Sequence, residues 1–373
     1  MAECFYTCAV LHRQDVSAML SIITKIMVLI CSSEISYRRP PANLRPEDEY
    51  LFRGESIKEL PSVNIQRIRS AFMSPSGHLF NGIFLDTRQN NLQTSFRVML
   101  LAYIKSIISL ARCRGVRRIK EAYFVTNYNS TNFFHWFFDV LQKLEYLSDN
   151  AIRKEKDLFI IVPYDHQLDF IVDTLSAFDF TLIIQKNHQS LFIDKLTLLP
   201  DIAPTGNYRN KEVNKLRNRL RCQFLLNSHN QAPSKRVYIT RKNARKRRLI
   251  NENDLLPILK RSNFEIVDMD DITFEEQIEL MSNVNFLISL HGAGLTHMIW
   301  MDKLGSVLEI RARGDANNNC YFTLASELDL NYFYALADKI NPSLSTQKSD
   351  YLIDPICFET QLLLMVNHSR PCE

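Results

Sequence analysis

The chain has 373 residues, 46% hydrophobic and 23% charged, a globular composition long enough for two domains with full cores. A formal net charge of +4 is too small to mark a nucleic-acid protein by itself. Eight cysteines are scattered without a CxxC, and the one close pair, Cys4 and Cys8, has no matching pair, which argues against a zinc site or a disulfide framework and fits a reducing compartment.

In chain order, the first feature is Ser17 to Ile30 (SAMLSIITKIMVLI), short for a membrane span and interrupted by Lys25. It reads as a buried or interfacial helix, with a signal peptide or a weak anchor as alternatives. Residues 35 to 80 are rich in proline and arginine without clear periodicity, so residues 1–75 read as an irregular or helical lead-in. Asn129-Ser130-Thr131 and Asn367-His368-Ser369 are glycosylation sequons by pattern only. Strand-like runs at 122–125, 158–162, 181–184 and 196–199 alternate with helical patterns at 133–147, 168–178 and 207–226. The stretch HNQAPS (229–234) suits a linker. The pattern then restarts, with strands at 236–240, 264–267, 286–290 and 307–310 and helices at 252–261, 274–281, from 294, and at 320–328. Strand runs without period-2 alternation, joined by helices, predict an α/β protein with parallel sheets covered on both faces. The division is a Rossmann-like half over 76–230, a second over 231–345, and a final helix in 346–373 packing back toward the first half.

Two features of the second half suit an anionic ligand. From Lys235 to Arg248, KRVYITRKNARKRR holds eight Lys or Arg and no acid; a solvated basic face is the alternative. In LISLHGAGLTHMIWM (287–301), HGAG is the turn between a buried strand and a helix, where ligands of doubly wound sheets bind. Glycine lets backbone approach a ligand, and free N–H groups at a helix start face an anion. A turn needed only for strand–helix packing would look the same. Arg241 and its loop fall at the same sheet edge, and together the two devices suggest a diphosphate site.

The order YITRKNARKRRLINENDLLPIL, FEIVDMDDITFEEQIELM, NFLISLHGAGLTHMIWM and GSVLEIR resembles the C-terminal half of glycosyltransferase family 61, and TNFFHWFFDVLQKLEYL resembles its N-terminal signature. NNCYFTLASELDLNYFY is similar to the bacterial, capsular-polysaccharide branch. The resemblance spans residues 120 to 335. It implies a GT-B-like fold, two facing Rossmann-like domains with an interdomain cleft. It also implies inverting, metal-independent transfer from a nucleotide sugar, UDP-linked, with no cofactor, to a glycan or lipid-linked acceptor in capsular or surface polysaccharide synthesis. The scattered cysteines and the lack of a convincing signal favour the cytoplasm, at the inner face of the membrane where lipid-linked acceptors sit, with peripheral membrane association and no nucleic-acid partner; if Ser17 to Ile30 is an anchor, a secretory-pathway enzyme is the alternative.

Such transfer needs a base for the acceptor hydroxyl and stabilisation of the departing diphosphate. His135 and Asp139 are four apart on one helical face and form the candidate base pair, or a structural pair pinning Trp136. His291 is the third candidate catalytic residue. Arg241, Lys242, Arg247 and Arg248, with Gly292, Ala293 and Gly294, are the diphosphate candidates. Glu309, Asn318 and Asn319 are candidates for sugar or ribose hydroxyls. Asn251 and Asn132 suit helix caps. Asp268-Met269-Asp270 has the DxD form of metal-dependent transferases but reads as a helix-entry loop. The rival readings are an inactive nucleotide-sugar-binding scaffold and, from the basic run, a nucleic-acid-binding protein.

Overall fold

Strands and helices build two large sheets and a separate two-stranded one, in a computed structural model that describes residues 27–81, 84–85, 96–127, 129–149, 158–225 and 232–368. The lead-in differs from expectation. Where 1–75 reads as irregular or helical, about half of its described part is strand, β1 (Met27–Cys31), β2 (Glu34–Tyr37), β3 (Ile57–Leu60) and β4 (Val63–Met73), and short helical turns at Pro46–Leu51 and Arg53–Ser56 lie between β2 and β3. Met27 to Ile30 of the apolar stretch therefore lie in a strand, and residues 17–26 lie outside the described residues, as do Cys4, Cys8 and Cys372. β4 escapes a period-2 reading because its buried residues are Val63, Ile65, Ile68, Ala71 and Met73, spaced two, three, three and two. Arg67, Arg69 and Ser70 in its middle are exposed, so no clean alternation survives.

The first sheet continues with β5 (Leu79–Asn81) and β6 (Phe84–Leu85), and then helix α1 (Phe96–Ala111). Next come β7 (Gly115–Phe124), helix α2, β8 (Phe159–Val162), α3 (Asp169–Leu175), β9 (Thr181–Ile184) and β10 (Gln189–Leu198). α2 is a helical run of three parts: Phe133–His135, a π-helical turn Trp136–Val140, and Leu141–Asp149. The strand order is β6-β5-β4-β10-β7-β8-β9, with β1 beside β4. β10, β7, β8 and β9 are parallel, whereas β4, β5, β6 and β1 pair antiparallel, so this sheet is mixed rather than parallel throughout.

Helix α4 (Asn210–Phe224) leads to the second sheet. Its elements are β11 (Lys235–Ile239), α5 (Glu252–Arg261), β12 (Glu265–Val267), α6 (Phe274–Ser282), β13 (Val284–Leu290) and a 3₁₀ helix (Ala293–Trp300). β14 (Ser306–Ala312), α7 (Cys320–Glu327), β15 (Asn331–Lys339), β16 (Tyr351–Leu352) and α8 (Pro355–His368) complete it. The order is β12-β11-β13-β14-β15-β16, parallel up to β15 and closed by the short antiparallel edge β16. Counted along the chain, the parallel part runs 2-1-3-4-5, so the winding reverses between β11 and β13. In the first sheet, the parallel part runs 4-1-2-3 and reverses between β7 and β10. Reversal points open crevices at the carboxyl ends of the flanking strands.

α8 packs on β14, β15 and α5 of the second sheet, rather than reaching back to the first half. Phe358, Leu362 and Met365 on its inner face complete the cluster built by Leu308, Ile310 and Phe333. Its link to the lead-in is Asn43 Nδ2 donating to Gln361 Oε1 at 2.7 Å. One buried cluster is common to both sheets: Ile160 and Leu199 of the first, Val237 and Leu287 of the second, and Trp136 and Trp300 between them.

Candidate functional site

Both reversal points face one cavity of about 600 Å³. From the first sheet, the segment after β7 supplies Asn132, Phe134 and His135, and the segment after β10 supplies Thr205, Gly206 and Asn207. From the second, the loop after β11 supplies Arg241, Arg245, Lys246 and Arg247, and the turn after β13 supplies His291 and Ala293. The entry to α7 closes it with Asn317 to Tyr321.

Each wall carries a histidine backed by a carboxylate. Asn132 caps α2 by accepting from Phe134 N at 3.0 Å, which starts the helix just ahead of His135. His135 Nδ1 meets Asp139 Oδ2 at 2.7 Å, and the buried carboxylate also accepts from Asn127 Nδ2 at 3.3 Å and Thr205 Oγ1 at 3.4 Å. Nδ1 is thereby engaged, which leaves Nε2 for a ligand. Asp139 lies in the π-helical turn and His135 directly precedes it; such a local widening recurs at functional sites. On the opposite wall, His291 Nδ1 bonds Glu309 Oε1, and Tyr332 Oη donates to Glu309 Oε2. Burial alone would push the Glu309 carboxyl up, but His291, Arg311 and Tyr332 outweigh it and hold it below the usual carboxylate range. Glu309 has no exposure and does not line the cavity, so it supports His291 instead of meeting sugar hydroxyls.

The cations are held in a fixed loop. Tyr238 Oη and Thr240 Oγ1 donate to the two oxygens of Glu252 at 2.6 and 2.8 Å, clasping the start of the loop to its end. Arg241 Nε and Nη2 donate to the carbonyls of Arg247 and Lys246, both at 3.1 Å. Burial lowers the Arg241 pKa, and the neighbouring Arg247 lowers it further. Arg247 has left-handed backbone with φ 56°, and its Nε is buried with no acceptor. Left-handed backbone in a residue with a side chain costs on the order of 1 kcal/mol and clusters at ligand sites. The lining holds four cations and one carboxylate, Glu55, already paired with Lys58 at 2.9 Å. Two crowded guanidiniums, offset only in part by Asp270, are what a diphosphate would relieve.

Other expected residues fall elsewhere. Lys242 is exposed and away from the cavity, and Arg248 is turned outward to Asp350 at 2.7 Å. Gly292 and Gly294 act behind the lining: Gly292 lies against the Arg241 guanidinium, and Gly294 packs on Ile239. Asn318 lines the cavity but donates to Asp315 and Thr346, and Asn319 bonds Arg311 and the Leu51 carbonyl. Asn251 gives its side chain to Ile353 at 2.8 Å rather than capping α5. Asp268 caps a 3₁₀ turn by accepting from Asp270 N, as a helix-entry residue does. Among the described residues, no group of three or more His, Cys, Asp or Glu is placed to hold a metal ion. The sequence reading missed Glu55, Thr205, Gly206, Asn207 and Gln347, which reach the cavity from segments without a motif. Gly206 alone left a signal, as the glycine of a Pro-Thr-Gly turn with φ 83°.

Residues 133–308 match the glycosyltransferase 61 family model. The chain is 26% identical over 237 residues to the EGF domain-specific O-linked N-acetylglucosamine transferase of Pan troglodytes, covering 57% of this chain and 44% of that one. The protein of the same description from Mus musculus is 27% identical over 237 residues, with the same coverage. That from Bos taurus is 32% identical over 102 residues, 26% of this chain and 19% of that one. The chain thus spans less than half the length of these relatives. The matched segment, just under half of the chain, runs from the His135 wall through the basic loop and the His291 turn into β14, and over that segment the chain is similar to glycosyltransferase family 61.

Proposed function

We propose that the chain transfers a sugar from a nucleoside-diphosphate donor to an acceptor hydroxyl, using the cavity as a GT-B-like cleft between two Rossmann-like units. The reading is carried by one observation: Arg241 and Arg247 crowd together on the cavity wall opposite the His135–Asp139 dyad. The second sheet holds the donor. Arg241, Arg245, Lys246 and Arg247 surround the diphosphate and take up the charge that grows as it departs, so transfer proceeds without a divalent ion. His291, held by Glu309, turns Nε2 toward the same oxygens. Asn317 and Asn318 meet the sugar. From the first sheet, His135 Nε2 takes the acceptor proton while Asp139 steadies the imidazolium, and attack from the face opposite the leaving group inverts the anomeric centre.

N-acetylglucosamine carried by UDP is the first donor to test, and a protein hydroxyl on an EGF-like domain the first acceptor, because the relatives are described by that sugar and that domain. A capsular or lipid-linked glycan, the acceptor of the bacterial branch the sequence resembles, is the second. The test is calorimetric binding of UDP with EDTA present, followed by mass analysis of an EGF-like domain incubated with UDP-N-acetylglucosamine. Arg241→Ala should weaken UDP binding by about 1.5–3 kcal/mol, the worth of a charge-assisted contact. His135→Ala should leave UDP affinity unchanged and abolish transfer. UDP binding that depends on a divalent ion, or that ignores Arg241→Ala, would overturn the reading.

A further inference from the structure

Helix α1 is built inside out. With about 100° per residue, its inward seam is Ala102, Ser106 and Ser109, of which Ala102 and Ser106 are buried and both serines reach Ser76. Its outward arc is Leu100, Leu101, Tyr103, Ile104, Ile107 and Ile108, each 41% to 57% exposed. A helix that packs through small residues and turns its large apolar ones to solvent reverses the usual arrangement. Contiguous apolar surface of this kind marks a contact face.

Charge says what the contact is. Residues 96–120 contain seven Lys or Arg and no Asp or Glu, in a chain whose whole formal charge is +4. Arg112, Arg114, Arg117 and Lys120 follow the helix directly and are exposed; Arg118 is taken up by Asp194 at 3.0 Å. An apolar arc bordered by cations matches an anionic bilayer surface, acyl chains against the arc and headgroups against the fringe. We infer that α1 and the start of β7 dock the protein flat on an anionic phospholipid membrane. No helix among the described residues is long and apolar enough to cross one. The same helix places Lys105 in a cavity of about 310 Å³ with Asn127 and Asp165, and Asn127 bonds Asp139. The docked face therefore adjoins the His135 wall. The inference does not rest on the glycosyl-transfer reading.

The test is co-sedimentation of the full chain with vesicles of phosphatidylcholine containing about 30% phosphatidylserine, against phosphatidylcholine alone. Most of the protein should pellet with the anionic vesicles and be released by about 0.5 M salt. Leu101→Glu with Ile108→Glu, both at exposed positions, should cut the pelleted fraction about tenfold with unchanged far-UV circular dichroism. A second variant, Arg112→Ser with Arg114→Ser and Arg117→Ser, should lose the salt-sensitive part. A chain that stays in the supernatant, or variants that pellet as the parent does, would overturn the proposal. So would a parent dimer that Leu101→Glu with Ile108→Glu turns into a monomer, because the arc would then belong to a second copy.

Discussion

Gly292 has extended backbone, φ 170°, a conformation any residue adopts. Its glycine is demanded by contact: an added Cβ would lie 2.5 Å from Arg241 Nη1. Gly292→Ala must push the guanidinium off the wall where it meets Arg247. The expected outcome is a UDP dissociation constant raised about tenfold, or about 1.4 kcal/mol, with folding intact. Calorimetry on the variant checks it, and an unchanged constant would mean that Arg241 does not touch the ligand. Residues at this scale were legible unevenly. Arg241 and His291 stand in motifs at strand ends and His135 in a helical motif, where chemistry and sequence coincide. Glu309 stands in the middle of β14, and its role depended on Tyr332 and His291 closing over it, contacts that sequence distance hides.

Among the elements, the segment after HGAG was read as a helix start and is a 3₁₀ helix, with Leu295 N donating to the Gly292 carbonyl. Eight consecutive positions with six buried, among them Thr296 and His297, leave no polar face for an amphipathic α-helix to show. Burial alone takes His297 down to about 3, so it is a neutral core histidine packed on Phe133 and not a third basic group of the site. α4 was read from its charge pattern, but the pattern did not say that Arg217 points inward. It donates to the Leu328 carbonyl at 2.9 Å and to that of Met301, and burial lowers its pKa to about 10. The side chain thus splices α4 to two segments of the second half. Arg217→Met should destabilise the protein by about 2–4 kcal/mol, because two buried carbonyls lose their donor. Urea unfolding measures it; a loss below the error of the extrapolation would show that water replaces the guanidinium.

At the scale of the whole molecule, the two series of parallel strands and helices were visible because each repeats strand and helix with little interruption. The lead-in was not, because exposed Arg67, Arg69 and Ser70 break the period of β4. Nor was the shared core, since Phe137 and Trp300 meet only through tertiary packing, with ring centroids 6.2 Å apart. A cluster spanning both sheets predicts that they unfold together. Tryptophan fluorescence and far-UV circular dichroism should give one coincident thermal midpoint. Separate midpoints would mean that the two sheets hold independently.

The clasp of Tyr238 and Thr240 on Glu252 has a kinetic side. A loop whose ends are fixed presents its cations already assembled, so a donor gains their full attraction without having to order them. On the proposed reading, the spent nucleoside diphosphate meets the same unyielding grip as the donor did. Sugar transfer lengthens nothing in that contact, and the loop has no slack with which to let go. Turnover is then paced by escape of the leaving group, and the cycle runs only as fast as accumulated product is cleared from solution.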